Sequence, residues 1–152
     1  MEKPCFPPLL SSGFHDFDDE MLRTLCVDAF PDSERRGMLY CNYIQLMNDI
    51  RSINRQFKCF VEVWVDGSFT TEKPEPDDID MLLVIDYERL NLVPVMFQPQ
   101  IESLLDRPFI KHNYKIDLLL LGNGRDEDRM HWRGVFGYDR EDTPKGIVRI
   151  SL

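Results

Sequence analysis

The chain is poor in the residues that would commit it to several common functions. It has 4 cysteines and 3 histidines in 152 residues. Cys5, Cys26, Cys41 and Cys59 are scattered, with no Cys-x-x-Cys pair, and each lies in or beside an apolar pattern. A disulfide framework and a cysteine zinc site are both disfavoured, and reduced core thiols are expected. His15, His112 and His131 show no metal-ligand spacing, which argues against histidine-bound zinc. No apolar run reaches the roughly 20 residues needed to cross a bilayer. Met1-Glu2-Lys3-Pro4 opens no apolar stretch, so no secretory signal is expected and a cytoplasmic location is. Basic residues are also scarce, 18 against 27 acidic, for a net charge of −9. Long nucleic acid is held chiefly by neutralising its phosphates, so a processive polymerase is disfavoured. The acidity suits a small nucleotide delivered with its metal, or a basic protein partner.

What remains is an ordinary globular composition, 43% hydrophobic and 30% charged. The length predicts a single domain over residues 1–152. Phe6-Pro7-Pro8-Leu9-Leu10 reads as an extended entry. A first helix is expected from Asp16–Asp19 to about Phe30, with an apolar stripe of Met21, Leu22, Leu25, Cys26 and Ala29. Pro31-Asp32-Ser33 should end it and cap a longer helix to about Asn54. Leu39, Tyr43, Leu46, Met47, Ile50 and Ile53 line one face of that helix. These helices make an N-terminal part at 16–55. A sheet is expected over 58–121, followed by a C-terminal segment at 122–152. Lys58 to Asp66 reads as a strand buried largely on both faces. A helix is expected from Pro99 to Asp106, a helical turn over Asp126–Trp132, and a last strand over Ile147–Leu152.

The chemistry concentrates in Val65-Asp66-Gly67-Ser68-Phe69 and Asp78-Ile79-Asp80-Met81. A strand reverses side-chain direction at every residue, so Asp78 and Asp80 point the same way, their Cα atoms roughly 6.5 Å apart. Two carboxylates on a rigid strand offer hard oxygen ligands to Mg²⁺ or Mn²⁺. Gly67 permits close approach of a phosphate to the backbone, and Ser68 offers it a hydroxyl and an N–H. On its own, an Asp-apolar-Asp step is more often a solvated strand end than a metal site. Asp117, inside the apolar run Tyr114 to Leu121, is a third carboxylate in a costly place unless it serves a purpose or faces water at a sheet edge.

The run Gly67-Ser68, nine residues, Asp78-Ile79-Asp80-Met81, with Asp117 on a later strand, resembles the signature of the DNA polymerase beta-like nucleotidyltransferase superfamily, in its small stand-alone bacterial form. The resemblance covers residues 60–121. It implies an α+β mixed sheet with helices packed on one face. It also implies Mg²⁺-dependent transfer of a nucleoside monophosphate from an NTP to a hydroxyl acceptor, with pyrophosphate leaving. Asp78, Asp80 and Asp117 would be the catalytic and metal-binding residues, and Gly67 and Ser68 would hold the β/γ-phosphates. Many relatives carry arginine shortly after the Gly-Ser step. Here Thr70 and Thr71 follow, and Lys73 is the nearest cation, so Thr70 and Lys73 become the candidate nucleotide contacts. Thr70 to Asp77 is expected to be a mobile loop over the site.

Further on, Arg133, Arg140 and Lys145 are candidate phosphate clamps, set against the plainer reading of a solvated loop with salt bridges. Trp132 and Trp64 could stack on a base, though Trp64 reads as core. So short a chain leaves little room for an acceptor domain. The acceptor, a protein or a small molecule, is then expected across a homodimer interface or on a partner protein. Two other classes fit the same residues: a nucleotidyltransferase-like interaction protein, such as the antitoxin-type partner of a basic toxin, and a metal-dependent phosphohydrolase.

Overall fold

Helix α2 (Glu34–Phe57) is the longest element, and its two ends show why. Ser33 is extended and its side chain accepts from the Arg36 N–H, capping the first turn. Lys58 adopts a left-handed conformation, φ 50°, and ends the helix by donating its N–H to the Asn54 carbonyl. Between these ends Leu39, Tyr43, Leu46, Met47, Ile50 and Ile53 are buried, the helical stripe expected from their spacing.

The structure is a computed structural model that describes residues 5–152. Five strands form one mixed sheet: β1 (Gly13–Asp16), β2 (Phe60–Asp66), β3 (Ile79–Ile85), β4 (Ile116–Gly122) and β5 (Gly146–Ser151), in the spatial order β1-β5-β2-β3-β4. β2 is antiparallel to both β3 and β5, whereas β1–β5 and β3–β4 run parallel. A parallel neighbour needs a crossover. Three short helices supply it between β3 and β4: α3 (Tyr87–Leu90), α4 (Gln98–Leu104) and α5 (Arg107–Tyr114). Both ends of the chain enter the sheet, so it extends beyond 58–121. The class is α+β.

Side chains alternate across each strand and divide the core in two. On one face Val63, Val65, Met81, Leu83, Leu118, Val148 and Ile150 pack against the buried stripe of α2, with Leu22, Cys26 and Ile110 from neighbouring helices. On the other face Trp64, Leu82, Val84, Leu121 and Ile147 pack with Phe136 of α6 (Asp126–Phe136). The expectation of helices on one face is therefore corrected. The second face carries a smaller apolar patch than the first, and α6 covers part of it through Phe136. Truncating Trp64, which is fully buried there, would cost about 3–5 kcal/mol.

Other departures have local causes. Gly13–Asp16, of which only Asp16 is expected to have a role, as a helix cap, pairs with β5 instead. The first helix, α1 (Asp19–Arg23), starts at the Asp18 cap and relaxes into a π-helical turn over Thr24–Asp28. Pro99 does open α4, but α5 was not foreseen. Its signals were the Asp106 cap and Pro108 in its first turn. Cys26 and Cys59 are buried, while Cys41 is exposed on α2, so it is not a core thiol. Among the described residues no helix is long and apolar enough to cross a membrane.

Candidate functional site

Strand register brings three aspartates into one row. Asp66, the last residue of β2, pairs with Asp80 of β3. Asp80 in turn pairs with Asp117 of β4. Partners in register share a face, so the row runs across three adjacent strands. It lies where the second apolar face, with Trp64, Leu82 and Leu119 on it, gives way to polar residues. Asp78 joins the row two positions before Asp80. As expected, Gly67 and Ser68 follow at the end of β2, opening a short 3-10 turn over Gly67–Thr70.

A cleft of about 440 Å³ opens beside this row. Gly67, Ser68, Lys73, Asp78, Asp80 and Lys145 all line it. These six candidates come together from three separated parts of the chain. Arg140 and Tyr138, from the turn before β5, form part of the same wall.

Three candidates are not in the cleft's lining. Asp117 stands beside Asp80 in the row, but its carboxylate is turned to Arg107. Thr70 is buried, and its hydroxyl lies 3.3 Å from Asp66 Oδ1 and 3.2 Å from the Gly67 carbonyl. It buttresses the turn from behind and faces no ligand. Arg133 projects from α6, with its guanidinium 5.4 Å from the centre of the Phe14 ring. The helical turn that carries it aims it at β1 and away from the cleft. Trp64 is core, and Trp132 packs half-buried against the Phe136 ring.

The loop after Thr70 is anchored, contrary to its expected mobility. Arg36 of α2 is fully buried and gives its guanidinium to four backbone carbonyls: Cys26, Phe69, Thr71 and Lys73. Those contacts span 2.6–2.8 Å at the two terminal nitrogens. Phe30 stacks on the same group at 3.8 Å. Arg35 adds a bond to the Pro76 carbonyl. A buried cation held by carbonyls alone is a strong constraint, because removing it would orphan several acceptors at once.

The electrostatics of the row are uneven. Burial pushes the Asp66 carboxyl up to about 7, against the pull of Lys145, whose Nζ lies 3.2 Å from Asp66 Oδ2. Burial also pushes Asp80 up to about 6, reinforced by repulsion from Asp78 and Asp117. Asp117 is instead held below the usual carboxylate range by a forked bond from Arg107, with contacts of 2.6 and 3.0 Å. Lys111 pairs with Asp78. Sequence reasoning missed Asp66, Lys145's partner. It also missed Arg107 and Lys111. Arg107 and Lys111 lie four apart on a helix, a spacing that signals one face but not what that face meets.

Among the described residues no three carboxylate, histidine or cysteine groups form a ready-made metal cluster. Asp78 and Asp117 are each turned toward a base on α5. The donor chemistry nonetheless fits a hard divalent cation. Asp78, Asp80 and Asp117 would offer oxygen ligands, and such an ion would offset the repulsion that Asp78 and Asp117 exert on Asp80. A Cβ on Gly67 would lie 2.2 Å from Asp80 Oδ2, so the turn is shaped to admit that carboxylate.

Fold and site together define an α+β protein with a carboxylate-lined, partly cationic cleft at one end of its sheet. The chain belongs to DUF6932, a family of unknown function, which it matches over residues 4–151. No curated protein and no solved structure matches it.

Proposed function

We propose that the protein is a Mg²⁺-dependent nucleotidyltransferase of the DNA polymerase beta-like type, transferring a nucleoside monophosphate from an NTP to a hydroxyl acceptor. One observation carries this reading. The β2–β3–β4 register lines up Asp66, Asp80 and Asp117, and Asp80 shares a cleft with Asp78, Gly67 and Ser68. Ser68 would take the β/γ-phosphates, with Lys73, Arg140 and Lys145 supplying positive charge to the same wall. Asp78, Asp80 and Asp117 would hold Mg²⁺ or Mn²⁺. When bound, the metal would neutralise phosphate charge and favour ionisation of the acceptor hydroxyl. The acceptor oxygen attacks the α-phosphorus, the bond from that phosphorus to the bridging oxygen breaks, and pyrophosphate leaves with the electron pair. The hydroxyl proton passes to Asp117 and then to solvent.

The test is a thermal shift with and without Mg²⁺–ATP. A ligand that binds only the native state raises the melting temperature. Asp78→Asn with Asp80→Asn should abolish the shift and leave the fold intact. No shift for the wild type at millimolar metal and nucleotide would count decisively against the site. Pyrophosphate as the released product supports transfer, whereas orthophosphate would assign a phosphohydrolase.

One observation favours a second reading, a non-catalytic interaction domain whose acidic surface meets a basic partner. Asp78 and Asp117 are already neutralised by Lys111 and Arg107. On that reading the pairs are permanent, and nucleotide produces no shift.

A further inference from the structure

Arg107 and Lys111 project from the same side of α5, one helical turn apart, and each holds one carboxylate of the site. α5 does not depend on them for its place. It is capped by Asp106, whose side chain accepts from the Phe109 N–H. Ile110 is buried beneath it. Asn42 of α2 donates to the Tyr114 carbonyl, and the Tyr114 hydroxyl meets Asp49. The Arg107 and Lys111 side chains are themselves 59% and 47% exposed, so their ion pairs add little to stability. Two cations kept at a site without a structural need are available for another partner.

Their position says which partner. The cations Lys73, Arg140 and Lys145 line the cleft with Gly67 and Ser68, Lys145 bound to Asp66 of β2, whereas Arg107 and Lys111 are not in that lining. Arg107 and Lys111 reach the row at Asp117 and Asp78, from the helix that leads into β4. The carboxylates thus separate two groups of positive charge. A triphosphate occupying the first leaves the second beside Asp117, the residue assigned to the acceptor hydroxyl. Once a divalent cation takes the carboxylates, Arg107 and Lys111 lose their present partners and need an external anion. The planar guanidinium suits a two-oxygen acceptor, and the ammonium adds a point charge a turn away.

We propose that Arg107 and Lys111 form a binding site for an oxyanion, a phosphate or carboxylate carried by the acceptor. The acceptor is then an anionic hydroxyl compound. The word acceptor rests on the transferase reading; the anion site itself does not.

The experiment uses the full chain, without nucleotide or metal, and titrates inorganic phosphate and, separately, acetate by calorimetry. Asp78→Asn with Asp117→Asn should free both cations. That variant should bind at least one of the two anions about tenfold or more tightly than wild type. Adding Arg107→Gln and Lys111→Gln should remove the gain. Tighter phosphate binding indicates a phosphorylated acceptor, and tighter acetate binding a carboxylic one. No gain in the Asn pair, or a gain that survives the Gln substitutions, overturns the proposal. If circular dichroism shows the Asn pair unfolded, Asp117→Asn with and without Arg107→Gln gives the same comparison. A protein that passes here yet shows no Mg²⁺–ATP shift has an anion site but is not the proposed transferase.

Discussion

Gly67 and Asp80 are built against each other. A Cβ on Gly67 would lie 2.2 Å from Oδ2 of Asp80 and 2.8 Å from its Cγ, and Gly67 adopts φ +78°. Both the backbone shape and the space therefore demand glycine. Gly67→Ala should cost about 1–3 kcal/mol in urea unfolding and displace the Asp80 carboxylate, with loss of any Mg²⁺–ATP shift. In an Asp80→Ala background the same change should cost measurably less, since the carboxylate is gone and only φ strain remains. Equal costs in both backgrounds would show that the two residues do not press on each other.

Arg36 should prove to be the principal fastener between α2 and the cleft loop. Arg36→Met keeps the aliphatic length but leaves the Phe69, Thr71 and Lys73 carbonyls without their donor. A loss of about 3–5 kcal/mol is expected. Hydrogen exchange should accelerate first in residues 70–77. Arg36→Lys should rescue little, because one ammonium cannot serve carbonyls spread around a planar fork. Near-complete rescue by lysine would mean that charge, not geometry, matters there.

The buried acids predict an unusual pH response. Asp66 and Asp80 are raised to about 7 and about 6, from 3.8. For a raised carboxyl the native state holds its proton more tightly than the unfolded chain does. Stability from these groups is then complete below the unfolded value and is lost as pH rises through the folded values. Urea stability should fall between about pH 4 and pH 7 and level off above. Asp66→Asn should flatten much of that slope, whatever it costs at a fixed pH through the unpaired Lys145. An unchanged slope would place the titration elsewhere. The depressed acids Asp16, Asp19 and Asp117 act the opposite way, losing their contribution only as pH falls through their lowered values.

Asp117 separates turnover from binding. Asp117→Asn should keep Mg²⁺–NTP affinity within about tenfold and lower nucleotidyl transfer by at least about a hundredfold. It removes an ion pair whose Arg107 side is more than half exposed, so stability should change by under about 1 kcal/mol. Pyrophosphate release measures the first effect, calorimetry the binding and urea unfolding the last. Full transfer by the variant would remove Asp117 from the mechanism.

Much of this protein is written locally. The stripe from Leu39 to Ile53 implies α2, because a period of 3.6 residues is a property of neighbours in the chain. The apolar residues flanking Asp80 and Asp117 imply strands for the same reason. Gly67 next to Ser68, with two aspartates nine residues beyond, identifies the cleft floor without any fold, since turn chemistry and same-face spacing are local too. The tertiary structure decided what each side chain meets. Thr70 looks like a phosphate contact in sequence, yet the 3-10 turn rotates it inward onto Asp66. Arg133 sits among plausible clamps, but α6 is a full helix covering the second sheet face, and its phase aims Arg133 at Phe14. Asp66 becomes a partner of Asp80, and Lys145 of Asp66, only through the registers of β2, β3 and β5. Arg36 reaches four carbonyls from segments up to 37 residues away. No pattern within α2 foretells that, because strand register and helix phase are set by how whole apolar faces close over one another, which is a balance struck across the entire chain.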